Sequence, residues 1–149
     1  MSLENQFDVK LDESKGYYDI LIDDDGDILT DDQFNTATLM TLHCHKRALP
    51  SEMPDASRRR GWIGNESTPG FEIGSKLWLY YQERITASIL EQLSSQLNVD
   101  ILWFVNEGLL KSISVRPIFD PKEVGVEITF NRHQSESETR YYKLWDRTN

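Results

Sequence analysis

The chain has 149 residues, of which 38% are hydrophobic and 28% are charged, and this predicts one polar globular domain that needs no metal or disulfide to fold. Its formal net charge of −9 disfavours binding to nucleic acid or to an anionic membrane and favours partners with basic surfaces. A single cysteine, Cys44, excludes an internal disulfide. Without a long apolar run or a signal-peptide pattern, the chain is expected to be made and kept in the cytosol.

The N-terminal residues predict a hairpin and a short first helix. A strand over residues 17–22 is followed by an acidic run that contains Asp25-Gly26, a strong turn signal, and residues 28–29 would return as a second strand. Asp31 or Asp32 can cap a helix over residues 34–44. Residues 50–74 are rich in Pro, Gly, Ser and Arg without periodicity, which predicts a long loop.

The second half predicts a long helix and a small antiparallel sheet. Thr86 would cap a helix that runs to Glu107, although residues 98–100 could interrupt it, and Gly108 would end it. Apolar and polar residues alternate over 113–119 and 124–130, and 140–145 form a third strand candidate. Pro117 makes the first strand an edge strand or a bulged one. The predicted fold is therefore a single α+β domain over residues 1–149, with a C-terminal extension over 134–149.

Neither potential metal cluster has the spacing that a metal site needs. The acidic turn would place Leu21 at the first ligand position of a calcium-binding loop, and leucine cannot ligate. His43 and His45 would point to different faces of a helix, which predicts no metal and no cofactor. Cys44 lacks a clear histidine partner for nucleophilic catalysis.

Catalytic carboxylates are also not evident. A glycoside hydrolase needs one acid that burial keeps protonated, and the nearest candidates, Glu83 and Glu107, are more simply helix-surface charges. The residues Arg58-Arg59-Arg60 next to Trp62 could bind nucleic acid, but arginine and tryptophan are also the residues that dominate protein interfaces. The alternative is a surface loop with internal ion pairs.

Several blocks of residues resemble a known family. The segments Lys46-Arg47-Ala48, Arg59-Arg60-Gly61-Trp62 and Gly74-Ser75-Lys76-Leu77-Trp78-Leu79 resemble the baseplate wedge proteins of Mu-like bacteriophages, the family of gene product forty-six. The similarity runs from about residue 18 to residue 130. The family usually has Trp where Ile63 stands, Asp where Asn65 stands, and Thr-Asp where Cys44-His45 stand.

The resemblance implies a structural protein of the virion that acts by binding and not by catalysis. Such subunits belong to the baseplate of a contractile phage or prophage tail, in several copies, where they contact other wedge proteins, the spike or hub, and the sheath whose assembly they help to initiate. The alternative is a tail-associated peptidoglycan hydrolase. We expect no nucleic-acid or membrane partner. The expected protein-interface residues are Arg59, Arg60, Trp62, Trp78, Tyr141 and Trp145, and the C-terminal sheet is expected to contact the sheath.

Overall fold

A computed structural model describes residues 7–13 and 17–147 and confirms the α+β class. Contacts divide the chain into two units, Met1–Leu39 and Met40–Asn149, which are described separately. Charge divides in the same way: the first unit has 2 basic and 11 acidic residues, for a net charge of −9, and the second has 14 of each. None of the helices in the described ranges is long and apolar enough to cross a membrane.

The N-terminal unit contains two small antiparallel pairs and the predicted turn. Asp23 organises this turn, because its side chain accepts hydrogen bonds from the backbone N–H groups of Asp25 and Asp27, both at 2.9 Å. Gly26 has φ +88°, the left-handed conformation that glycine adopts at little cost. The predicted strands are shorter than expected. The four strands are β1 (Phe7–Val9), paired with β4 (Thr30–Asp32), and β2 (Leu11–Asp12), paired with β3 (Asp19–Ile20).

Helix α1 (Gln33–His43) begins and ends one residue earlier than predicted. This corrects the reasoning about the histidine pair, because His45 lies beyond the helix and forms a parallel bridge with Ser75. The premise that both histidines project from one helix is therefore wrong. Among the described residues, no group of three or more His, Cys, Asp or Glu side chains could hold a metal ion.

The predicted long helix is two helices, α2 (Ala87–Ile101) and α3 (Trp103–Asn106). Thr86 caps α2 as predicted, since its side chain accepts a hydrogen bond from the Ile89 N–H at 3.2 Å. The break lies at Leu102 and not at residues 98–100, because the Leu102 N–H bonds to the Val99 carbonyl and so tightens the last turn. Gly108, at φ +74°, ends α3 as predicted.

The sheet has the predicted three strands, β5 (Ser112–Phe119), β6 (Glu123–Asn131) and β7 (Glu138–Asp146), in the order β5-β6-β7. Asp120 forms the first turn by accepting from the N–H groups of Lys122 and Glu123. Pro117 lies on an edge strand, as predicted. Strand β5 contacts α2. The core contains fully buried apolar residues of the helices and of β6: Leu93, Leu97, Ile101, Phe104, Val124, Val126, Ile128 and Phe130.

Candidate functional site

The loop over residues 50–74 contains two short 3-10 helices, Ala56–Arg58 and Ile63–Ser67. Arg59 holds part of this loop in place, because its guanidinium donates to the carbonyls of Met53 and Pro54 at 2.7 and 2.8 Å. Asn65 ties the middle of the loop to its C-terminal end by two 2.8 Å hydrogen bonds, one to the Ile73 carbonyl and one from the Ile73 N–H. Thus the first predicted interface residue, Arg59, positions the loop through contacts within it.

Arg60 adopts a backbone conformation that is unusual for a residue with a side chain. Its φ of +55° lies in the left-handed region, which costs about 1 kcal/mol. The conformation places the guanidinium 4.9 Å from the ring centroid of Trp78 and 5.9 Å from that of Tyr81, where a cation interacts favourably with the π-face. One of its nitrogens lies 3.3 Å from His45 Nδ1.

His45 completes this arrangement. Burial lowers the pKa of His45, and the Arg60 charge lowers it further. The neutral imidazole can therefore accept at Nδ1 from Arg60, while Nε2 faces the Tyr81 hydroxyl at 3.5 Å. Trp78 is only 6% exposed, and its indole N–H donates to the Lys46 carbonyl at 2.9 Å. Trp78 is thus the buried support of Arg60.

Trp145, from the last strand, joins the same cluster. Its ring centroid lies 5.0 Å from that of Tyr81, so Tyr81 connects the C-terminal strand to Arg60. The arginine–aromatic cluster consists of His45, Arg60, Trp78, Tyr81 and Trp145. Sequence analysis identified three of its members and missed His45 and Tyr81. Tyr81 had one available signal, since it closely follows the Gly-Ser-Lys-Leu-Trp block.

Trp62 and Tyr141 lie elsewhere. Trp62 is half-buried against Gly64, where an added Cβ would come within 2.3 Å of the indole. It lines a hollow of about 420 Å³ that Arg60 also lines. Tyr141 is 48% exposed on the sheet surface, with its ring over Gly125 of β6.

Three hollows lie next to one another along the cluster, each sharing lining residues with the next, and they are together called the groove. The hollow at Trp62 shares Arg60 with a second of about 490 Å³, and the second shares Tyr81 with a third of about 270 Å³ that reaches Trp145. The groove therefore extends from Trp62 to Trp145. Arginine and aromatic side chains of this kind are typical of the energetically dominant part of a protein interface.

One buried carboxyl was missed by the sequence analysis. Asp100 is 3% exposed on the apolar side of α2, and burial raises its pKa to about 7. Its position three residues after Leu97 on the buried stripe was the signal. Glu83 and Glu107, which the sequence suggested, are exposed. Asp100 does not line the groove, and its burial keeps a polysaccharide away from it.

The fold and this groove define a small α+β protein whose surface carries a groove lined by arginine and aromatic side chains. The chain belongs to the phage protein GP46 family, whose model matches residues 34–137. It is 39% identical over 92 residues to "Baseplate protein gp46" of Escherichia phage Mu, a match that covers 60% of this chain and 63% of that protein. It is 28% identical over 88 residues to "Mu-like prophage FluMu protein gp46" of Haemophilus influenzae, covering 59% of each chain. The matches thus span less than two thirds of either relative.

Proposed function

We propose that this protein is a structural subunit of a phage or prophage tail baseplate, which binds neighbouring subunits through the groove. The observation that carries this proposal is the similarity over 92 residues to a protein named as a baseplate protein. The groove supports a binding role, because it displays Arg60 and Trp62 on a loop that is held by its own hydrogen bonds. In this role the protein resides in the virion tail, in several copies, beside wedge and spike or hub proteins.

The alternative of a peptidoglycan hydrolase has no observation in its favour. Among residues 7–13 and 17–147, the acid whose pKa is strongly raised is Asp100, and it is buried away from the groove. We therefore propose that the protein is not an enzyme.

Replacing Trp62 by Ala is expected to abolish baseplate assembly while leaving the protein folded. The side chain is half-buried at the loop surface, so its loss should cost no more than about 2 kcal/mol of folding free energy. The parent phage or prophage, complemented with the variant gene, should yield particles without baseplates in electron micrographs. The control is Leu49→Ala, which removes a 54% exposed side chain outside the groove. Normal particles with Trp62→Ala, or unfolding of the purified variant, would contradict docking through this residue.

We further propose that strand β7 offers to the tail sheath its outer edge, along which no strand of residues 7–13 and 17–147 pairs. Pro117 has no N–H to donate, so the backbone nitrogen and carbonyl of this residue, which pairs with Val126, point away from β6. Backbone N–H and C=O groups point alternately to the two sides of a strand, so those of Val126 point towards β7 and those of its partner Tyr142 point towards β6. The N–H of the preceding residue, Tyr141, therefore points outward. Strand β7 contains no proline, whereas Pro117 interrupts the donors of the β5 edge. The outer edge of β7 is therefore the better one for strand addition.

Tyr141→Pro is expected to prevent sheath nucleation without breaking the β6–β7 ladder, because the backbone N–H that it removes faces outward. Deleting the residues from 134 onward is a poorer test, since Tyr142 and Leu144 are buried in the core. The control, Tyr141→Ala, retains the backbone N–H and should nucleate sheath normally. Sheath of normal length with Tyr141→Pro would refute strand addition here. Equal failure of the alanine variant would assign the contact to the side chain.

A further inference from the structure

Five arginines line the groove, and none of them is neutralised by an ion pair in residues 7–13 and 17–147. Arg47 and Arg147 donate to backbone carbonyls, and Arg60 contacts His45. Arg58 attracts Asp55 electrostatically without forming an ion pair with it. Arg147 likewise interacts with the Asp120 carboxylate only electrostatically. The fifth is Arg84. The groove therefore holds several guanidinium groups that form no close ion pair with a carboxylate of the described residues.

The three arginines of the sheet, by contrast, are paired with carboxylates. On the sheet, Arg116 binds Glu127, and both Arg132 and Arg140 bind Glu138. This unit contains as many acidic as basic residues, whereas the groove is lined by five arginines and three glutamates, so its excess of positive charge is local. A guanidinium group binds a carboxylate through two parallel hydrogen bonds, so the missing partners fit an external acidic group.

The walls of the groove favour a polypeptide over a nucleic acid. Three glutamates, Glu66, Glu72 and Glu83, line the hollows among the five arginines. They would repel a phosphodiester backbone, which carries a charge at every nucleotide. A polypeptide can place its acidic side chains only opposite the arginines and its neutral ones beside the glutamates.

We propose that the groove binds an extended acidic segment of a neighbouring protein, whose carboxylates pair with the groove arginines. This inference rests on the proposed docking function and specifies the chemistry of the partner. The three hollows, which share Arg60 and Tyr81 as lining residues, each receive individual side chains of the segment. The exposed faces of Tyr81 and Trp145 contact its backbone and apolar groups.

Hexaglutamate, blocked at both ends and about 20 Å long when extended, serves as the probe. Titration into the full chain, followed by indole resonances in NMR spectra, should shift the Trp62 and Trp145 signals. Hexaglutamine should not shift them, and raising the ionic strength should weaken the binding. The double variant Arg58→Gln/Arg84→Gln should bind at least about fivefold more weakly. The control Arg116→Gln, outside the groove, should bind as the wild type does.

The proposal is overturned if hexaglutamine binds as well as hexaglutamate, if Arg116→Gln weakens binding as much as the groove variant, or if oligothymidine binds more tightly than hexaglutamate. Baseplate assembly by the same double variant separates the two proposals. If the double variant no longer binds hexaglutamate but still assembles normally, docking through the groove is rejected, and the preference of the groove for an acidic peptide is retained. If the double variant fails to assemble, but the wild type binds hexaglutamate and hexaglutamine equally, docking through the groove is retained and the acidic partner is rejected.

Discussion

Gly74→Ala is expected to destabilise the C-terminal unit by about 3–5 kcal/mol, because strain in the backbone and a steric clash add together. Gly74 has φ +111°, and a Cβ there would lie 2.4 Å from the Cys44 carbonyl oxygen. That oxygen already accepts a hydrogen bond from the Ser75 N–H at 2.9 Å, and Ser75 in turn accepts one from the Lys46 N–H. The clash is with backbone, so no side-chain rotation relieves it.

Urea denaturation of the purified protein measures this effect. The matched control is Gly70→Ala, since Gly70 has φ +88° but no atom within 4 Å of its added Cβ. The control should lose only about 1–2 kcal/mol, the cost of a left-handed alanine. If both variants lose the same free energy, the close approach of Gly74 to Cys44 is not what requires glycine.

Asp100→Asn is expected to remove a pH dependence of stability between about pH 4 and pH 7. Burial raises the folded-state pKa from 3.8 to about 7, so in this range the unfolded carboxyl ionises while the folded one stays protonated. The protonated Asp100 carboxyl makes its full contribution to the free energy of unfolding below the pKa of the unfolded chain. This contribution is lost as the pH rises to the pKa of the folded chain. Each unit of pKa difference corresponds to about 1.4 kcal/mol. The free energy of unfolding of the wild type should therefore fall by on the order of 4 kcal/mol over this pH range.

Asparagine has nearly the same shape and does not ionise. Gln96 donates to Asp100 Oδ1 at 2.9 Å and can donate equally to the amide oxygen, while Oδ2 has no hydrogen-bond partner among the described residues. The variant should match the wild type near pH 4 and exceed its free energy of unfolding near pH 8. Glu91→Gln, exposed on the same helix, serves as the control. If the free energy of unfolding depends on pH in the same way for the wild type and for Asp100→Asn, the pKa of this carboxyl is not raised by folding.

The sequence predicted the elements whose signals are local. Alternation of apolar and polar residues identified β5 and β6, the run of residues 140–145 suggested β7, the Thr86 cap placed the start of α2, and Gly108 marked the end of α3. The break at Leu102 was missed because it depends on a changed hydrogen bond, while the apolar pattern continues through it from Ile101 to Phe104.

The candidate site was predicted only in part, because its members come from four separate segments. Arg60, Trp78 and Trp145 were selected by residue type, and nothing local indicates that their rings and guanidinium meet around Tyr81. His45 was considered only as a metal ligand, since its role depends on where the chain turns after α1. The left-handed conformation of Arg60 likewise has no local signal, since residues with a side chain rarely adopt it.

The uneven charge of the two units bears on how this protein can be shortened. A chain trimmed to start at Met40 would keep nearly all of the family-matched region but would have equal numbers of acidic and basic residues. Its isoelectric point would move from about 4.8 towards neutrality, where molecules no longer repel one another and precipitate most readily. The acidic N-terminal residues are thus expected to keep copies of the whole chain apart by charge repulsion.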